Sequence, residues 1–263
     1  MNRICMFAAA VAVSALALAP TQSMAAAALT GDTVAATTGG NIVIHPLKHA
    51  TFAMAWNGQT IYVDPTPPPG APAGTDGAAA FAGMPAANII LVTDIHGDHF
   101  NGPALEKLTG ANTIIVAPQA VIDQAGFPAA LKAKTRALAN GATTTINGIT
   151  IEGVPMYNTT ADRLQFHNKG RGNGYVVTLG GKRVYIAGDT EAHAETRALR
   201  NIDIAFVPMN LPYTMTPEAA AEGVLAFKPK IIYPYHYGMS DVAAFTRLIG
   251  TTNGVEVRQR NWY

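Results

Sequence analysis

The sequence predicts an α/β fold, a single domain of strands and helices in layers, and three observations carry that reading. Antiparallel hairpin signals fill the first half, helix and strand alternate through the second, and no linker is long enough to separate two domains. The 263 residues are 49% hydrophobic and only 13% charged, which supplies a substantial core and excludes an intrinsically disordered chain.

The elements follow in order. Residues 26–40, a low-complexity Ala/Thr/Gly stretch, read as a flexible N-terminal segment, and 41–263 as the folded domain. The run NIVIHPLKHATFAMAWNGQTIYVDPT alternates apolar and polar residues around Asn57-Gly58, the signal of a strand pair closed by a tight turn. Residues 65–88 are rich in Pro, Gly and Ala and read as an irregular surface loop. NIILVTD is a continuous apolar run of strand length that leads straight into His96 to His99. A buried strand delivering polar residues at its C-terminal end is where α/β proteins place chemistry. GPALEKL and AVIDQAGF have helical patterns on either side of a short strand, TIIVAP. Further hairpin signals surround Asn147-Gly148 and Gly180-Gly181, the last leading to Asp189. The remainder reads as helix 194–200, strand DIAFVPMN, helix PEAAAEGVLAF, strand KIIYPYH, helix DVAAFTRLIG and strand VEVRQRN.

Residues 1–25 form a separate unit. Arg3, an apolar run from Ile4 to Ala19 and the small residues of Ser23-Met24-Ala25 have the layout of a secretory signal peptide cleaved after Ala25. The expectation is a periplasmic or secreted protein with no stable membrane anchor after cleavage, since the apolar run is short for a bilayer span. Cys5, the single cysteine, leaves with the signal, so neither a disulfide nor a thiolate ligand is expected. What remains carries 17 basic and 17 acidic side chains. That balance offers no net basic face for phosphates, which sets nucleic acid aside as a primary partner and points to a small-molecule substrate.

Chemistry concentrates in Thr93-Asp94-Ile95-His96-Gly97-Asp98-His99, four potential metal ligands in six residues. Imidazole nitrogen with carboxylate oxygen suits Zn²⁺ first, with Mn²⁺ or Fe²⁺ as alternatives. A helix-capping loop explains one aspartate, not four ligands beside a glycine. Neither a phosphate-binding loop nor a nucleophile elbow is present, and serines are few.

This stretch resembles the H-x-H-x-D-H signature of the metallo-β-lactamase superfamily. Val63-Asp64-Pro65, Ile186-Ala187-Gly188-Asp189-Thr190 and Tyr233-Pro234-Tyr235-His236-Tyr237 follow its further motifs in order. The resemblance implies a four-layer αβ/βα sandwich with a metal site at the edge of two packed sheets, and is greatest to the ascorbate-phosphate-lactonase-like branch. It implies one complete ligand set, Asp98, His99, Asp189 and His236, and a second, altered one around Asp94 and His96. Asp94 stands where the signature has a histidine, and Tyr157-Asn158 where the superfamily often has another after the mid-chain hairpin. One or two divalent ions are therefore expected, with Asp98 and His99 at the catalytic centre.

Other candidates carry two readings each. His49 either supports the site or packs, and Asp64 either orients a ligand histidine or shapes the turn begun by Pro65. His167 lies in a loop with Lys169 and Arg171 that could hold an anionic group, or is a solvated basic turn. His193 is expected on a helix surface and His45 in a structural role. Tyr157, Tyr213 and His167 are candidate donors to substrate. The function implied is an exported hydrolase that uses a metal-activated water on an ester, lactone or phosphodiester. The alternatives are a periplasmic β-lactam hydrolase and a non-catalytic metal- or ligand-binding protein on the same fold.

Overall fold

The computed structural model describes residues 28–68 and 76–263, so the signal peptide expected over 1–25 lies outside the described residues. Strands β1 (Asp32–Ala35), β2 (Asn41–Lys48), β3 (Thr51–Trp56), β4 (Gln59–Val63), β5 (Ala87–Leu91), β6 (Thr109–Ala117) and β7 (Thr135–Ala137) form one seven-stranded sheet in chain order. A second seven-stranded sheet contains β8 (Thr143–Ile146), β9 (Ile149–Met156), β10 (Gly172–Leu179), β11 (Lys182–Ile186), β12 (Ile204–Val207), β13 (Ile231–Pro234) and β14 (Glu256–Val257). Both sheets start antiparallel and finish parallel, with the change at β4 in one and β11 in the other. Among the described residues five α-helices complete the fold: α1 (Gly102–Leu108), α2 (Gln119–Ile122), α3 (Ala194–Arg197), α4 (Pro217–Phe227) and α5 (Val242–Ile249).

Alternation along the strands builds the layers, because successive side chains point to opposite faces. Ile61, Val63, Ile89 and Leu91 meet Tyr175, Val177 and Ile186 of the other sheet in a central core, where Phe52 stacks on Phe206 with ring centroids 4.1 Å apart. Their neighbours Tyr62 and Ile90 face outward onto Leu105, Leu108 and Val121. Val176 and Ile232 likewise pack on Val224 and Phe245. The order helix, sheet, sheet, helix is the four-layer αβ/βα sandwich. Truncating a central-core ring such as Phe52 to Ala costs about 3–5 kcal/mol.

The three expected hairpins form, with Asn57, Asn147 and Gly180 all at positive φ in their turns. Three readings change. Residues 32–35, expected in a flexible segment, add β1 to the sheet, and Asp32 accepts a hydrogen bond from the Tyr233 hydroxyl at 2.8 Å. The first hairpin is three strands: Pro46 lacks an N–H for the ladder, the register shifts between Pro46 and Lys48, and the chain turns back at His49-Ala50. The final strand is only two residues long, after which the chain crosses toward the sheet edge, where Trp262 is fully buried against Phe52, Phe206 and Tyr235. Among the described residues no helix is long and apolar enough to cross a membrane.

Candidate metal centre

The parallel strands β4, β5, β11 and β13 end at one edge of the sandwich, and each delivers a polar residue there: Asp64, the 94–99 loop, Asp189 and His236. His49 comes from the β2–β3 turn and His167 from the 157–171 loop. His49, Asp64 and His236 all adopt left-handed backbone, with φ of 56°, 43° and 45°. Non-glycine residues hold that conformation at a cost of about 1–3 kcal/mol and concentrate at functional sites. Gly188 (φ 65°) keeps the Asp189 turn tight, since a Cβ there would lie 2.5 Å from Met156 Sδ. Its N–H donates to the Tyr235 hydroxyl at 3.0 Å, tying the end of β11 to that of β13.

Asp189 is the hub. Its Oδ2 lies 3.3 Å from both His99 Nε2 and His167 Nε2, and its Oδ1 lies 3.3 Å from His236 Nε2. His236 Nε2 is also 3.3 Å from Asp98 Oδ2, and His99 Nε2 is 3.9 Å from Asp98 Oδ1. His99 Nε2, His167 Nε2 and Asp189 Oδ1 are buried without a hydrogen-bond partner. Buried polar atoms are rarely left so, and four nitrogen–oxygen separations of 3.3 Å exceed the usual charge-assisted hydrogen bond. Donors about 2.0–2.1 Å from one tetrahedral ion are about 3.3–3.4 Å apart, so the residues present fit a divalent metal. Among the described residues three groups could hold one: His99, Asp189 and His236; Asp94, His96 and His167; and His49, Asp98 and His236.

The supports are equally specific. Asp64, fully buried, accepts from His99 Nδ1 at 2.9 Å and from the Thr93 hydroxyl and N–H at 2.6 and 2.7 Å. A proton held on Nδ1 leaves the Nε2 lone pair facing the centre. On Asp98, a hydrogen-bond chain runs from the Gly238 N–H to the Tyr263 hydroxyl (2.7 Å), on to His49 Nδ1 (2.6 Å), and from His49 Nε2 to Asp98 Oδ2 (3.1 Å). The His49 N–H donates to the Trp262 carbonyl at 2.8 Å. Asn158 donates from Nδ2 to the Arg163 and Tyr213 carbonyls and lies 3.3 Å from His167 Nδ1, so it braces the histidine.

Electrostatics favour a cation here. Burial alone would raise the carboxyl of Asp189, yet His236 and His99 hold it well below the usual carboxylate range. Asp98 is likewise lowered against its burial, by the charge of His99 and the hydrogen bonds of His236 and His49. Burial works to deprotonate His99, but Asp189, Asp98 and Asp64 push it well above the ordinary imidazole value. Such a set binds a proton or exchanges it for a metal ion.

The structure thus brings Asp94, His96, Asp98, His99, Asp189 and His236 together, with Asp64 and His49 behind them. His167, expected near substrate or in a supporting role, stands among the ligand-type atoms. Tyr157 does not reach the centre: its hydroxyl donates to Glu195 at 2.8 Å and its ring stacks on His193. His193, expected on a surface, is 4% exposed and caps α3. The basic loop holds no free anion site, because Lys169 pairs with Glu195 at 2.5 Å and Arg171 with Asp94 at 3.3 Å. Tyr263 escaped the sequence reading altogether, since nothing local links it to a histidine 214 residues earlier.

Comparison with known proteins agrees with this geometry. The Lactamase_B_3 family, a beta-lactamase superfamily domain, matches residues 43–236. A UPF0173 metal-dependent hydrolase of Thermococcus kodakarensis is 32% identical over 223 residues, covering 81% of this chain and 94% of the relative. A crystal structure from Parabacteroides distasonis, of a protein named for metal-dependent hydrolysis, superposes with a TM-score of 0.77 at 36% identity, covering 89% of this chain and 99% of that one. The metallo hydrolase Igni18 of Ignicoccus hospitalis shares the fold at TM-score 0.66 and 21% identity, over 83% of this chain and 94% of its own.

Proposed function

The chain belongs to the metallo-β-lactamase superfamily and is a metal-dependent hydrolase, and we propose that it is an exported enzyme acting on small, neutral ester- or lactone-type substrates. The observation that carries the substrate class is the cavity beside the centre, about 330 Å³ and lined by His96, Asp98, Phe166, His167, Asp189 and Tyr213. Phe166 and Tyr213 meet edge to face at 5.1 Å and form an apolar wall opposite the polar floor. No lysine or arginine lines it among the described residues. Beyond the bound ion, the cavity offers a phosphodiester or a carboxylate-bearing β-lactam no cationic side chain to receive its anion, whereas an ester carbonyl and its apolar substituent need none. Export is supported by the signal-like pattern of residues 1–25.

Asp98, His99, Asp189 and His236 would hold the principal ion, Zn²⁺ by donor type with Mn²⁺ or Fe²⁺ as alternatives, and Asp94, His96 and His167 could share Asp189 with a second. A divalent ion there supplies a water acidified toward pH 7 and a Lewis acid for the carbonyl oxygen. The protein's own groups do the rest. Asp64 fixes the His99 tautomer, and His49 Nε2 donates to Asp98 Oδ2, which fixes how that carboxylate is presented to the centre. The Phe166–Tyr213 pair offers an aromatic surface on one side of the cavity for an apolar substituent.

The test is turnover of uncharged aryl esters and simple lactones against bis-p-nitrophenyl phosphate and nitrocefin, on metal-loaded and chelated protein. The proposal expects ester or lactone hydrolysis at least about tenfold faster than the anionic substrates, abolished by chelation and by His236→Ala. Faster phosphodiester or nitrocefin turnover would overturn the substrate class, and no turnover of any would favour a metal-binding protein on the same fold.

A further inference from the structure

We infer that Arg171 makes the two metal positions unequal, so that the protein binds one ion tightly and a second only weakly. The inference rests on the metal-centre reading above and adds an order of loading set by a residue of this chain. The Arg171 guanidinium, on the same loop as His167, lies 3.3 Å from Asp94 Oδ2 through Nη2, which also donates to the Phe166 carbonyl. Its side chain is 19% exposed, and the carboxylate it faces is fully buried. Asp94 Oδ2 is also the atom that meets His96 Nδ1 at 2.5 Å and His167 Nε2 at 3.8 Å, so the cation sits against the only carboxylate belonging solely to the Asp94, His96 and His167 group.

Charge decides the order. Asp98 and Asp189 bring two negative charges to the first position, and no lysine or arginine approaches either within salt-bridge distance among the described residues. At the second, Arg171 already cancels Asp94, and once the first ion is seated the shared Asp189 is cancelled too. A second dication would meet imidazoles, a neutralised carboxylate and a guanidinium in a region where burial weakens screening. His99 has a buried carboxylate behind it and His167 an amide, so the first position also has the stronger support. Asp94 Oδ1, buried and unpartnered, is the atom left for a weakly held ion.

The test is calorimetric titration of Zn²⁺ into the chelator-stripped full chain, with metal per chain counted by elemental analysis at fixed free Zn²⁺. Wild type is expected to bind one Zn²⁺ tightly and a second at least about a hundredfold more weakly. Arg171→Met should tighten the second step by about tenfold or more, while Arg171→Lys, which keeps the charge, stays near wild type. Two wild-type steps of equal affinity would overturn the inference without any variant. A folded Arg171→Met protein with an unchanged second step would overturn it as well. A wild-type chain that binds no Zn²⁺, Mn²⁺ or Fe²⁺ would instead remove the metal-centre reading beneath it.

Discussion

Asp64→Asn isolates the carboxylate–imidazole contact behind the first metal position. The substitution keeps the side chain's shape, and asparagine tolerates the left-handed backbone at this position, φ 43°. One oxygen can still accept from the Thr93 N–H, as Asp64 Oδ1 does at 2.7 Å. The other becomes an NH₂ facing His99 Nδ1, which Asp64 Oδ2 meets at 2.9 Å, and the Thr93 hydroxyl, at 2.6 Å. His99 Nδ1 must then accept, its proton moves to Nε2, and the lone pair that faces Asp98 and Asp189 is lost. Removal of such a support weakens metal binding about 10–100-fold, or about 1.4–2.7 kcal/mol. Competition with a chromophoric chelator measures the Zn²⁺ Kd directly, with circular dichroism as the check on folding. A folded Asp64→Asn protein whose Kd stays within about twofold of wild type would refute the role given to Asp64.

Tyr263→Phe should lower kcat about three- to tenfold with little change in KM, because the ring packing on His49 remains while the hydroxyl that fixes its tautomer goes; steady-state kinetics identical to wild type would remove Tyr263 from the site. Asp203→Asn should cost about 1–2 kcal/mol at neutral pH, since Asp203 accepts from Lys230 at 2.8 Å and from the Arg183 N–H at 3.0 Å. Burial alone would raise that carboxyl, but those donors and Lys182 hold it below its ordinary value. A depressed folded pKa gives stability that is complete above the ordinary carboxylate value and lost as pH falls through the folded one. Urea unfolding should therefore show the gap between wild type and Asp203→Asn constant above about pH 5 and narrowing in acid; a gap that widens in acid would contradict the assignment.

The fold was legible where physics is local. Asn-Gly and Gly-Gly turns, the apolar run of β5 and the helical pattern of Pro217–Phe227 mark elements without tertiary information, and their order is enough for a layered α/β domain. β1 was not, because four residues of a low-complexity stretch become a strand only against β2 and through Asp32 with Tyr233. At the site, the dense 94–99 loop announced itself, as did Asp189 and His236 at strand ends. His167 was harder: it sits nine residues beyond Asn158, and only the folding back of the 157–171 loop brings its Nε2 to Asp189. Arg171 carries two readings in the sequence, an anion-binding turn or a solvated basic one, and its partner in the structure is instead the Asp94 carboxylate, 77 residues away. Tyr263 reaches His49 only because Trp262 is buried in the central core and fixes the path of the chain past the site.

The most direct test of the central claim is anomalous diffraction from a crystal of the metal-loaded protein, recorded on both sides of the metal's absorption edge. The strongest peak is expected among Asp98, His99, Asp189 and His236, with any weaker one beside Asp94, His96 and His167. A fully loaded crystal with no peak at the first position would contradict the account.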